Sequence, residues 1–314
     1  MTKPREWGFW TVGKLDMLRQ YLPAFTKAAK FRARGVTQYL DLFAGQGGNV
    51  SRETGEELQN SAEIALDTRP ELLRLRLFEL DHAASLTRLL EGRFDTRDYV
   101  IIHGDSNEVL PEVLRNSGLE TWAPTFAFID PNGPDCWWST LGTLATFKQR
   151  SKYKTELWML FPVDMFTRFL RIDGGEVRPE DAERITRMFG SDEWVVIYES
   201  RLRGELEPRE ARAEYVNLMR WRLENELGYK WTHSFDVKTE RRSIYSMIFA
   251  TDNKAGNDIM SSIYESALST FPRMRIEAWE QRTGQQSLFE DVPVAQVRYV
   301  HEAPLPPYGS KSRS

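Results

Sequence analysis

Five short apolar runs, separated from one another by helical segments, constrain this chain more than any other feature. They are Val36–Phe43, Leu75–Phe78, Tyr99–Ile102, Thr125–Ile129 and Leu157–Phe161. Runs of this length, rich in β-branched and aromatic residues, read as strands. Strands that alternate with helices pair in parallel and are covered on both faces. The expected fold is therefore α/β, a doubly wound and mostly parallel sheet of seven-stranded type. The intervening helices are read at 10–30, where Leu15, Leu18, Leu22, Phe25 and Ala29 recur at spacings of three and four. Others are read at 61–67, at 82–91, from Ser106 or Asn107 onward, and near 137–148, with a polar loop at 49–60.

The second half breaks the rhythm. Residues 164–230 are charged, read as helical, and carry Arg168, Arg171, Arg184, Arg187 and further arginines interleaved with glutamates. Trp194–Tyr198 reads as an additional strand. Trp231–Val237 and Ser243–Ala250 read as an antiparallel pair, and 254–268 as a closing helix. Beyond about residue 270 periodicity fades and proline accumulates, which predicts a loose tail. The expected layout is an N-terminal helical segment (1–30), a cofactor-binding core (31–163), an Arg-rich helical insert (164–230), closing strands and helix (231–268) and a tail (269–314).

Composition removes several classes. The 314 residues include one cysteine, Cys136, which excludes an internal disulfide and a Cys-rich metal site. The four histidines lack ligand spacing, so no metal is expected. No apolar run approaches the ~18 residues of a membrane helix, and Met1–Trp7 carries no signal core, so a cytoplasmic protein is expected. The formal net charge of −4 argues against nonspecific coating of nucleic acid but permits a local basic face.

Ligands of open parallel sheets sit beyond the carboxyl ends of the strands. Those ends carry Asp41, Phe43, Gly45 and Gly47, then Glu79, then Asp105, then Asp130 with Pro131. Glycines at 45 and 47 allow a tight turn and a close ligand approach. The stretch lacks the lysine of a P-loop and the third glycine of a dinucleotide fingerprint, which leaves an NAD enzyme a distant option.

The ordered set resembles motifs I to IV of class I S-adenosylmethionine-dependent methyltransferases. The resemblance implies that the glycine turn passes the methionine part of the cofactor. It implies that Glu79, with Asp81 in reserve, accepts from the ribose hydroxyls, and that Asp105 accepts from the adenine amine. Asp130-Pro131 would then face the methyl acceptor. The 38 residues from Asp41 to Glu79 exceed the ~20 of dinucleotide folds, and the polar loop 49–60 accounts for the excess. Asp41 and Asp105 can also be read as helix caps.

Amino-methyltransferases that act on flipped bases carry Asp/Asn-Pro-Pro-Tyr/Phe at the fourth site, where the aromatic stacks on the base. Here Asn132 and Gly133 replace the last two, so stacking would fall to Trp137 or Trp138, for which helix packing is the equal alternative. Cys136 follows Asp130 too late for the cysteine nucleophile of a C5-pyrimidine methyltransferase and is expected to be a buried thiol. Arg168 and Arg171 follow the fifth strand and could meet phosphates.

Trp10-Thr-Val-Gly-Lys14, Asp41–Gly47, Phe78–Asp81, Gly104–Asn107, Phe128–Gly133 and Tyr245–Asp252, in that order, resemble the three-Cys-motif partner proteins (TcmP). That resemblance implies a methyltransferase-like fold and a Cys-rich partner protein. Two functions are expected: S-adenosylmethionine-dependent methyl transfer, on nucleic acid and with that partner, or a non-catalytic scaffold of the same fold. Separately, Gln285-Gln-Ser-Leu-Phe289 matches a sliding-clamp docking peptide, with Leu288 and Phe289 filling an apolar pocket and Gln285 a polar one. The alternative is a tail that packs on its own chain.

Overall fold

The structure is a computed structural model that describes residues 5–30, 35–148, 151–171, 177–238, 243–284 and 299–311. The Gln285–Phe289 peptide lies outside the described residues. No helix among them is long and apolar enough to cross a membrane.

The expected alternation is present. In chain order come β1 (Arg5–Trp7), α1 (Phe9–Lys30), β2 (Gln38–Asp41), β3 (Asn49–Ser51), β4 (Glu57–Leu58), α2 (Ser61–Asp67), β5 (Arg74–Glu79), α3 (Ala83–Leu90) and β6 (Tyr99–His103). They are followed by α4 (Ser106–Asn116), β7 (Thr125–Ile129), α5 (Trp138–Phe147), β8 (Glu156–Phe161) and α6 (Val163–Phe169). The chain continues with α7 (Pro179–Phe189), α8 (Trp194–Leu202), α9 (Pro208–Asn225), β9 (Trp231–Lys238), β10 (Ser243–Thr251) and α10 (Lys254–Thr283). Seven strands form one mostly parallel sheet in the order β6-β5-β2-β7-β8-β10-β9. This is a class I methyltransferase-like α/β fold. Strands β2, β5 and β6 pair in parallel, as does β2 with β7, while β10 runs antiparallel to β8 and β9.

The chain divides into two compact units. The first comprises Met1–Ser106, Ala123–Phe128 and Lys254–Val300. Its sheet face is filled by Tyr21, Phe25, Tyr39 and Phe126, whose rings meet at 5.0–6.3 Å between centroids. The 49–60 stretch is not a plain loop. β3 pairs with β1 in parallel and with β4 antiparallel, giving a second, three-stranded sheet, and Trp7 Nε1 donates to Asn49 Oδ1 at 2.9 Å. The start of α2 is set by a capping box: Asn60 Oδ1 accepts from the Glu63 amide at 2.8 Å and Glu63 Oε2 accepts from the Asn60 amide at 3.0 Å.

The closing helix runs to Thr283 rather than ending near 268, so 269–283 is ordered structure and not tail. Pro272 and the charged residues around it weaken the sequence signal, yet Phe271 is buried. Its ring lies against the Cα of Gly13 in α1, where a Cβ would meet Phe271 Cζ at 2.5 Å.

The second unit comprises Asn107–Trp122, Ile129–Asn253 and His301–Ser314. Residues 194–198 are helical in α8, contrary to the expected strand. Trp194, Ile197 and Ser200 are buried at a spacing of three, whereas Val196 is 41% exposed. Packing on one helical face overrides the β propensity of Trp-Val-Val-Ile-Tyr. The described part of the tail is also anchored. Asn217 exchanges two hydrogen bonds with the Leu305 backbone at 2.8 and 2.9 Å, and His301 Nε2 meets Glu224 Oε1 at 2.9 Å.

At the end of α5, Lys148 is buried, and its Nζ donates to the Lys154 carbonyl at 3.4 Å. Burial lowers its pKa to about 8 despite the opposing carboxylates of Glu156 and Asp252.

Two outcomes test this packing. Gly13→Ala should destabilise the protein by about 1–3 kcal/mol in urea denaturation, because α1 must move off Phe271. For Lys148, the folded-state value lies below the ordinary 10.5, so the cost of burying the cation is present at neutral pH. It is relieved as pH rises from about 8 to 10.5. Wild type should gain stability relative to Lys148→Met across that window.

Candidate functional site

In the first unit, the glycine turn begins where β2 ends. Leu42 N–H donates to the Phe128 carbonyl at 3.0 Å and Ala44 N–H to the Phe78 carbonyl at 2.9 Å, so the chain leaves the sheet between β5 and β7. Gly45 and Gly47 both have positive φ, 72° and 73°, which L side chains rarely adopt. They differ in surroundings. A Cβ at Gly47 would collide with Leu89 of α3, whereas the space in front of Gly45 is open.

Glu79, the last residue of β5, joins this turn to the start of α3. Its Oε2 accepts from Gly45 N–H at 2.8 Å, and its Oε1 accepts from the amides of Asp81 (3.1 Å) and His82 (2.9 Å). A carboxylate has about four acceptor positions, so capacity for a further donor remains beside the open space. Asp81, the reserve candidate, is exposed. The Asp41 side chain is fully buried. The Tyr39 hydroxyl donates to Oδ2 at 3.1 Å and Phe43 N–H to Oδ1 at 3.4 Å, so Asp41 shapes the turn from below. Phe43 is half-buried at the turn's edge. Asp105 is half-buried immediately before α4, after Gly104, whose N–H donates to the Glu79 carbonyl at 3.2 Å. The structure thus joins Gly45 to Glu79 by a direct hydrogen bond, while Gly47 packs against Leu89.

One polar atom here has no partner among the described residues. Asn60 is 4% exposed, and its Nδ2 is buried without an acceptor. A Cβ at Gly47 would stand 3.2 Å from it. Such a donor beside a turn with open room in front of Gly45 fits a ligand that carries oxygen acceptors.

In the second unit, Asp130 is half-buried as the first residue after β7, and Pro131 is buried. The loop that follows is held by Asn107 at the start of α4. Asn107 Nδ2 donates to the Asp135 carbonyl at 2.7 Å, and Oδ1 accepts from Trp137 N–H (2.9 Å) and the Thr140 hydroxyl (2.7 Å). Arg184 of α7 donates to Asp135 Oδ1 at 2.6 Å from the other side. Gly133 is pressed close to Met165 and Asp135, where a Cβ would find neighbours at 3.2–3.4 Å.

The sequence assigns no role to Tyr245, which begins the Tyr245–Asp252 stretch. In β10, Ser246 is opposite Phe161, the last residue of β8, so Tyr245 reaches the carboxyl end of that strand. Its phenol is buried, and its pKa is pushed well above 10.0, first by burial and then by the Asp130 charge nearby. Tyr245 is therefore a protonated phenol, with its ionisation opposed by burial and by the Asp130 charge. No local signal singles it out, because β10 also carries the hydroxyls of Ser243, Ser246 and Thr251.

The two tryptophans take different places. The Trp138 ring carries the Arg222 guanidinium at 4.5 Å and fills the space against the Cα of Gly190, which is a packing role. Trp137 is half-buried under the Arg187 guanidinium at 5.2 Å. Cys136 is 1% exposed, as expected of a buried thiol. Arg168 is mostly exposed and pairs with the buried Asp164 at 3.2 Å. Arg171 is exposed, and its carbonyl accepts from the Tyr198 hydroxyl at 3.1 Å.

No protein-family model matches the chain. No curated protein matches it either. Among solved structures, the chain is similar to protein LPL1258 from Legionella pneumophila str. Philadelphia 1, of family-model DUF519. That likeness has 11% identity and a TM-score of 0.46, over 82% of this chain and 91% of that one. It is also similar to the methyltransferase domain of bacterial-CtHen1-C, with 10% identity and a TM-score of 0.36, over 75% of this chain and 97% of that one.

Asn107→Ala should remove two hydrogen bonds from the 131–137 loop and a third from Thr140 in α5. A loss of about 1–3 kcal/mol in stability, with faster amide exchange confined to that loop, is the expected result.

Proposed function

We propose that the chain is an S-adenosylmethionine-dependent methyltransferase that acts on an amine of nucleic acid, in the cytoplasm, together with a Cys-rich partner of the three-Cys-motif type. The observation that carries the cofactor part is the Glu79 carboxylate bound to the Gly45 amide at the carboxyl ends of β5 and β2. Glu79 retains acceptor capacity for ribose hydroxyls, Gly45 leaves open space, and Asp105 follows the third strand as an acceptor for an amine. When bound, the cofactor supplies an electrophilic methyl on a sulfonium. The residues of this chain contribute positioning, which is the main requirement of an in-line transfer. Asp130 accepts a hydrogen bond from the acceptor amine, Pro131 fixes the backbone behind it, and Tyr245 contributes a neutral hydroxyl whose ionisation the Asp130 charge opposes. Exposed Arg168 and Arg171 suit phosphates. The nucleic-acid acceptor and the partner rest on the sequence resemblances.

A second reading, a non-catalytic scaffold of the same fold, is favoured by one observation. Asp130-Pro-Asn-Gly lacks its aromatic, and Trp138 is committed to Arg222 and Gly190, which leaves Trp137 alone as a stacking surface. Loss of base stacking removes ~1–3 kcal/mol.

Isothermal titration should show S-adenosylmethionine binding that Glu79→Ala weakens by about tenfold or more. Radiolabelled methyl should pass to a DNA, RNA or protein pool when the partner is present, and Asp130→Ala should abolish it. No binding at millimolar cofactor overturns the enzyme reading. Binding without transfer to any pool selects the scaffold.

A further inference from the structure

The capping box at the start of α2 fixes more than a helix end. Asn60 Oδ1 accepts from the Glu63 amide at 2.8 Å, and an amide nitrogen cannot take that position because it has no acceptor to offer. The orientation of the carboxamide is therefore set by the backbone, and Nδ2 must point the opposite way. Glu63, the other half of the box, is itself held by the Asn60 amide and by Arg93 Nη1 at 2.5 Å, so the cap has no freedom to rotate. On the opposite side lies the glycine turn, with Nδ2 buried beside Gly47 and without an acceptor among the described residues. A buried donor left unsatisfied costs about 1–3 kcal/mol. The side chain could be replaced at the cap by serine or aspartate without that cost.

We infer that Asn60 is a cofactor-binding residue, whose Nδ2 donates to an oxygen at the amino-acid end of the S-adenosylmethionine that the glycine turn holds. This rests on the cofactor reading proposed above and adds a residue to it from outside the strand ends. Nδ2 is covered in the present conformation. The turn must move off Nδ2 when ligand binds: the Cβ positions of Gly45 and Gly48 face open space, whereas Gly47 is packed against Leu89.

The test is isothermal titration of the full chain and its variants with two probes, S-adenosylhomocysteine and methylthioadenosine, which lacks the amino-acid end. Asn60→Ser keeps an oxygen for the cap and removes the amide donor. It should weaken S-adenosylhomocysteine binding by about tenfold and leave methylthioadenosine binding unchanged. Its ligand-free melting temperature should stay at or above that of wild type, whereas Asn60→Ala, which loses the cap, should melt lower. Asn60→Asp, which puts a carboxylate where the donor was, should weaken S-adenosylhomocysteine at least as much as Asn60→Ser. Wild-type affinity in both Asn60→Ser and Asn60→Asp overturns the inference and leaves the cofactor reading standing. Equal weakening of both probes also overturns it. A wild-type chain that binds neither probe overturns the cofactor reading and this inference together.

Discussion

The bond from Gly45 N–H to the Glu79 carboxylate is the interaction on which the first unit's site depends. A chain that leaves a parallel strand must satisfy its freed amides, and here one side chain does so for two elements at once. Glu79 takes the turn after β2 with one oxygen and the start of α3 with the other. Gly45 adopts a positive φ directly after this amide, and Gly47 completes the reversal where Leu89 leaves no room for a side chain. The same carboxylate is then pre-oriented, with its side-chain entropy already spent in folding, for whatever donor enters the open space.

The second unit solves a similar problem differently. The loop after β7 carries two prolines and a glycine, so it offers few backbone donors of its own. Its conformation is imposed from outside, by Asn107 beneath and Arg184 beside it. Tyr245 arrives from β10, far along the chain, and its phenol stays protonated because burial and the Asp130 charge both oppose ionisation.

Much of the sheet was legible from the chain. All five apolar runs are strands, and the antiparallel pair is where the alternation placed it, because these segments satisfy strand propensity and burial together. The failures share a cause. Trp194–Tyr198 has strand propensity, yet only one face of it is buried, and a helix buries that face better. Residues 269–283 have weak periodicity and contain Pro272, yet the contact of Phe271 with Gly13 extends α10 through them. The 49–60 stretch looks like a polar loop because the strand it pairs with, β1, is three residues long and lies over forty residues earlier.

The site divides in the same way. Sequence alone determined which acids stand at the strand ends, since a polar residue directly after an apolar run must lie at the sheet's edge. It also determined where glycine permits the turn. Only the tertiary structure decided what those residues touch. It turned Asp41 inward to Tyr39, gave Trp138 to Arg222, brought Tyr245 within reach of the Asp130 charge, and aimed the Asn60 amide at Gly47. Strand order and local propensity are written in neighbouring residues. The direction of a side chain depends on partners that folding brings from distant parts of the chain.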